Sequence, residues 1–93
     1  MIKSFKNKAA EEIFLCEYSR KVPEQILRNA LRKLWWINAA NTIWQLRSPP
    51  SNHLERLKGD REGQYSIRIN KQWRICFYWV EGDAYELEIT DYH

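Results

Sequence analysis

Three stretches of this 93-residue chain carry polar groups that core packing does not account for. The first is Leu57-Lys58-Gly59-Asp60-Arg61-Glu62-Gly63, a charged segment with two glycines, and the second is Arg74, a lone cation within an aromatic run. The third is the closing Asp91-Tyr92-His93, which sets an acid, a phenol and an imidazole side by side. Side chains of these types hold anions or exchange protons near neutral pH. Gly59 and Gly63 fit a turn with positive φ, and no G-x-x-x-x-G-K-[ST] spacing is present, so nucleoside triphosphate binding is not supported. His53, His93, Cys16 and Cys76 form no C-x-x-C or H-x-x-x-H spacing suited to zinc. Catalysis is therefore expected to need no cofactor and no resident metal, unless a metal arrives with the substrate.

These residues must be positioned by one small domain spanning 1–93, because a chain this short excludes a two-domain enzyme with a built-in cofactor fold. Five tryptophans, five tyrosines and three phenylalanines provide bulky side chains for a core, and 29% charged residues fit a soluble surface. The longest apolar run, residues 75–80, is far too short to cross a bilayer, and the N-terminal stretch lacks the hydrophobic segment of a signal peptide. A cytoplasmic location, no membrane partner and free thiols are expected. The net charge is +3, but residues 1–80 hold fifteen basic against seven acidic side chains, and residues 81–93 hold five acids without Lys or Arg. That asymmetry favours a polyanionic partner, nucleic acid ahead of membrane.

Ile2 and Phe5 predict a short first strand, and Asn7 predicts an N-cap for a helix over 9–18, with Ala10, Ile13 and Phe14 at helical spacing. Pro23 opens a second helix. Its Ile26, Leu27, Ala30, Leu31, Leu34 and Ile37 share a face, Arg28, Arg32 and Lys33 lie off that face, and Asn38 is expected at the C-cap. Residues 42–46 predict a short helical turn before Ser48-Pro49-Pro50. Beyond Pro50 the period becomes two: Tyr65, Ile67 and Ile69, then Trp73, Ile75, Phe77 and Trp79, then Tyr85, Leu87 and Ile89. Glu81-Gly82-Asp83 supplies turn chemistry between the last two strands. By alternation Arg74 points away from Trp73 and Ile75, toward solvent. The expected class is α+β, with helices on one face of an antiparallel meander.

The segments LKGDREGQYSIRIN and QWRICF, the terminal DYH and the opening MIKSFKNK resemble the HigB toxins, or plasmid killer proteins, of the RelE/ParE toxin–antitoxin superfamily. The resemblance runs end to end. It implies a RelE-like, microbial-RNase-type α+β fold, a curved antiparallel sheet with two to three helices packed on one face. It also implies a type II toxin, a ribosome-dependent mRNA interferase that cuts mRNA in the ribosomal A site without a metal.

Carried over by residue, the resemblance makes Lys58 and Arg74 the basic active-site residues and Asp91, Tyr92 and His93 the catalytic tail. Lys58, Arg61, Arg68, Lys71 and Arg74 become candidate RNA contacts. Attack of the ribose 2′-OH on phosphorus needs a base, cations for the phosphorane and an acid for the departing 5′-oxygen. Lys58 and Arg74 suit the cation role, His93 the acid, and Asp91 its orientation; strand parity puts Tyr92 on the opposite side. Some family members carry a histidine three residues before the active-site lysine. Here Glu55 stands there and His53 lies two residues upstream, which leaves Glu55, His53 and Asp91 as alternatives for the base. The implied partners are a HigA-like helix-turn-helix antitoxin, the ribosome and mRNA, with operator DNA reached only through the antitoxin. A gyrase inhibitor on the same scaffold, or an antitoxin-binding transcriptional co-regulator, are the alternatives.

Overall fold

The computed structural model describes residues 1–91. Helix α1 (Lys8–Cys16) starts where Asn7 Oδ1 accepts from the Ala10 backbone N–H at 3.2 Å, as its sequence predicts. It ends two residues early because Glu17 takes a left-handed conformation (φ 61°) and its N–H closes on the Ile13 carbonyl. Pro23 precedes a 3-10 turn (Glu24–Ile26) that runs into α2 (Leu27–Ala39). Ala40, and not Asn38, caps α2, and the Asn38 side chain instead accepts from the Ile2 N–H at 2.8 Å. Two further 3-10 turns, Ile43–Arg47 and Pro50–Asn52, follow, the first opened by a capping box between Thr42 and Gln45.

Four antiparallel strands, β1 (Glu55–Arg56), β2 (Gln64–Arg68), β3 (Trp73–Val80) and β4 (Asp83–Asp91), lie side by side in chain order. Glu81 and Gly82, at φ 49° and 84°, form the two-residue connection between β3 and β4. Positive φ at both positions matches the turn to the twist of the strands. The expected first strand is reduced to two parallel bridges, Ile2 to Ala84 and Phe5 to Leu87, which cover the outer edge of β4.

Tyr78 pairs with Tyr85 and Cys76 with Glu88, so Phe77 faces both Glu86 and Leu87, with Glu86 at φ 51°. This bulge corrects the expected alternation of Tyr85, Leu87 and Ile89. Tyr85 shares a face with Tyr78, while Leu87 and Ile89 lie in the core with Ile67, Ile75 and Phe77. Against that face pack Ala10 and Ile13 of α1 and Ala30, Leu34 and Ile37 of α2, all fully buried. Both cysteines are free, and among the described residues no helix is long and apolar enough to cross a membrane. Phe77 sits at the centre of this core, so Phe77→Ala is expected to cost about 3–5 kcal/mol, read as a lower urea midpoint at unchanged slope.

Candidate active site

Register fixes what the opposite face of the sheet carries. Glu55 pairs with Ser66, Ser66 with Cys76, Arg68 with Arg74, and Arg74 with Thr90. Arg74 does point away from Ile75, but that face is not solvent: residues 53–55 fold across it and leave Arg74 6% exposed. The expectation of an outward, solvated arginine is therefore corrected. A buried guanidinium must be paired and hydrogen-bonded. Its Nε donates to Ser66 Oγ at 2.9 Å, and its Nη2 donates to the His53 carbonyl at 2.8 Å and lies 3.0 Å from Glu55 Oε1. The Glu55 side chain is 54% exposed against 7% for Arg74, so the carboxylate is the member of the pair that can yield to an incoming anion.

The His53 carbonyl reaches Arg74 because His53 closes the Pro50–Asn52 turn at φ 46°, its N–H donating to the Pro50 carbonyl at 3.0 Å. The His53 ring is exposed, with Nε2 3.4 Å from Arg68 Nη1. Behind the turn, the fully buried Asn52 amide donates to the carbonyls of Leu46 at 3.1 Å and Ser48 at 3.3 Å, and its Oδ1 accepts from Lys33 Nζ. Lys33 was expected off the apolar face of α2, yet it is only 5% exposed. The Asn52 acceptor and the Trp36 ring, 5.4 Å from Nζ, explain how α2 tolerates it there. Burial lowers the Lys33 pKa from its ordinary value, and the Arg32 charge lowers it further.

Other candidate residues are distributed differently. Arg61 Nη1 donates to Glu88 Oε1 at 2.8 Å and to Gln64 Oε1 at 3.2 Å, so its charge is already offset. Lys58 is exposed just before the 3-10 turn Gly59–Arg61 and borders an open hollow with Arg56, Leu57, Glu62 and Gly63. Asp91 pairs with Trp73, which sets it on the face opposite Arg74, where Gln72 Nε2 donates to its Oδ2 at 2.8 Å. Tyr92 and His93 lie outside the described residues. Cys76 is buried beside Arg74, and burial pushes its thiol pKa up, which keeps it protonated and unsuited to nucleophilic attack.

Glu55, the His53 backbone and Arg68 thus gather with Arg74 on one face. Ser66, Asn52 and Lys33 complete the support and escape sequence reading. Ser66 sits on the expected polar side of β2, but nothing local marks Asn52 or Lys33 as partners nineteen positions apart.

Residues 3–93 match the family model described as RelE-like toxin of type II toxin-antitoxin system HigB. The chain belongs to the HigB-like toxin family. Its relatives include an endoribonuclease HigB of Proteus vulgaris, 41% identical over the full length of both chains, and a toxin HigB-1 of Vibrio cholerae, 40% identical over 90% of each. The fold resembles a solved YoeB-YefM complex from Staphylococcus aureus, with a TM-score of 0.59 and 19% identity, covering 100% of this chain and 98% of that one. The α+β architecture expected from the sequence is thereby shown to be RelE-like.

In this HigB-like chain the burial of Lys33 has a pH signature. Burial lowers the folded-state pKa of Lys33, so the unfolded chain binds the more protons as pH falls below the ordinary value of 10.5. The penalty for charging Lys33 is fully present below the folded pKa and is relieved as pH rises toward the unfolded one. The wild type is expected to gain stability between about pH 8 and about pH 10 relative to Lys33→Met, which lacks the titrating group. Urea midpoints of the two proteins at both pH values check this.

Proposed function

We propose that this chain is an endoribonuclease that cuts messenger RNA in the ribosomal A site by attack of the ribose 2′-oxygen on the adjacent phosphorus. The observation that carries the reading is the buried Arg74 guanidinium, held by Ser66 and the His53 carbonyl and paired with the exposed Glu55. A fixed cation whose partner can be displaced is suited to charge that develops on a phosphorane, because little reorganisation is needed when the charge appears.

In the proposed reaction Glu55 takes the 2′-OH proton as the P–O2′ bond forms. Arg74 takes over the phosphorane charge while Glu55 becomes neutral. The P–O5′ bond then breaks, and the departing 5′-oxygen takes a proton from His93, the donor the sequence resemblance implies. Among the three candidates for the base, the contact to Arg74 favours Glu55. The His53 ring instead faces Arg68, and Asp91 occupies the other face of the sheet. Lys58 adds an exposed cation nearby in sequence, and Tyr92 a ring for stacking on a base. A helix-turn-helix antitoxin of the HigA type is the proposed protein partner, a reading supported by the family and by the toxin–antitoxin complexes that share the fold.

On programmed ribosomes the proposed chemistry leaves a 2′,3′-cyclic phosphate or 3′-phosphate on one fragment and a 5′-hydroxyl on the other. Recovery of 5′-phosphate ends, which water attack on phosphorus produces, counts against it. Glu55→Gln keeps the shape of the side chain but cannot accept the proton, and is expected to lower the cleavage rate by about 10²–10⁴-fold. A Glu55→Gln protein that is folded and cleaves at the wild-type rate moves the base elsewhere.

A further inference from the structure

Between α2 and the turn joining β2 to β3, adjoining the Arg74 cluster, lies an open hollow bordered by Asn29, Arg32, Lys33, Ser51, His53, Arg68, Ile69, Asn70 and Lys71. No acidic side chain among the described residues lines it. Among the described residues, Arg32, Lys33, Arg68 and Lys71 take part in no ion pair within 4.0 Å. Arg32 is held in place, its Nη2 donating to Asn29 Oδ1 at 2.6 Å and its guanidinium 5.7 Å from the Trp36 ring. Arg68 is half-buried beside the His53 ring, whereas Arg32 and Lys71 are exposed.

We propose that this hollow binds the phosphodiester backbone of the RNA strand that flanks the phosphate held at Arg74. The inference rests on the nuclease reading above and adds Arg32, on α2, as a backbone contact beside Lys71, which the family resemblance already implies. Cations on several elements, joined by amide and hydroxyl groups, suit phosphate oxygens, which take hydrogen bonds from Arg, Lys, Asn and Ser alike. A protein partner would call for an apolar centre, and the one aliphatic residue here, Ile69, is 6% exposed. His53 connects the two places: its carbonyl holds Arg74, and its ring borders the hollow beside Arg68. A single strand crossing His53 therefore meets both.

The test is binding of single-stranded RNA carrying 2′-O-methyl groups, which cannot be cut, as a dinucleotide and as a longer oligonucleotide over a range of salt. Arg32→Ala/Lys71→Ala is compared with Lys8→Ala/Arg20→Ala, which removes the same charge from exposed positions elsewhere. The first variant is expected to lose affinity for the longer strand only, with its log–log salt slope shallower by about 0.7 per lost contact, roughly 1.4 in all. The second variant should keep the wild-type slope. Equal losses in the two variants, or none in either, overturn the proposal. So does a loss confined to capture of the antitoxin, which would make the hollow a protein-docking surface. The nuclease reading is judged separately by fragment ends: 5′-phosphate ends with the slope change intact would refute that reading and leave the hollow standing.

Discussion

A guanidinium buried in the middle of a four-stranded sheet sets the terms for everything around it. Arg74 is almost wholly withdrawn from water, so its position exists only because neighbouring groups supply what water would. Ser66 does so from the adjacent strand, the His53 carbonyl from the chain entering β1, and Glu55 from β1 itself. Two of these three come from residues 53–55, which have almost no regular structure. The shortest strand of the sheet is thus held partly by its contacts with a cation.

The same demand extends away from the sheet. For its carbonyl to face Arg74, His53 must hold a left-handed conformation, and Asn52 fixes the turn before it by binding two backbone carbonyls. Asn52 is in turn held by Lys33, so α2 is tied by a polar contact to the segment that completes the site. The apolar core positions α2 against the sheet, and this contact sets how residues 46–53 lie over its edge. One buried amine and one buried cation, each matched to its acceptors, make the helices and the polar face a single arrangement.

Much of this architecture is legible in the sequence where the cause is local. The Asn7 cap, the Glu81-Gly82 turn and the period-two runs of β2 and β3 each follow from a few adjacent residues, and each is found. The bulge at Glu86 is not legible, because an extra residue is recognised only once β4 is set in register against β3. The burial of Arg74 and Lys33 escapes for a related reason. Alternation and helical spacing say which way a side chain points, but not whether a later or earlier segment folds over it. For the site, residue type singles out Arg74 and the family resemblance points to Glu55, whereas their pairing, and the separation of Asp91 from them, depend on strand register.

The central claim is that Arg74 is an immobilised cation able to exchange Glu55 for a phosphate. The most direct measurement is the Arg74 Nε–H resonance in a ¹⁵N NMR spectrum, assigned by its loss in Arg74→Lys, before and after addition of a 2′-O-methyl RNA fragment. The account predicts a slowly exchanging Nε–H in the free protein, since that proton is given to Ser66 in a buried site. It predicts a shift of the resonance when RNA binds, and little shift in the presence of the same concentration of uncharged nucleoside. A rapidly exchanging signal that is indifferent to RNA would mean that Arg74 is neither fixed nor in contact with phosphate, and would contradict the account.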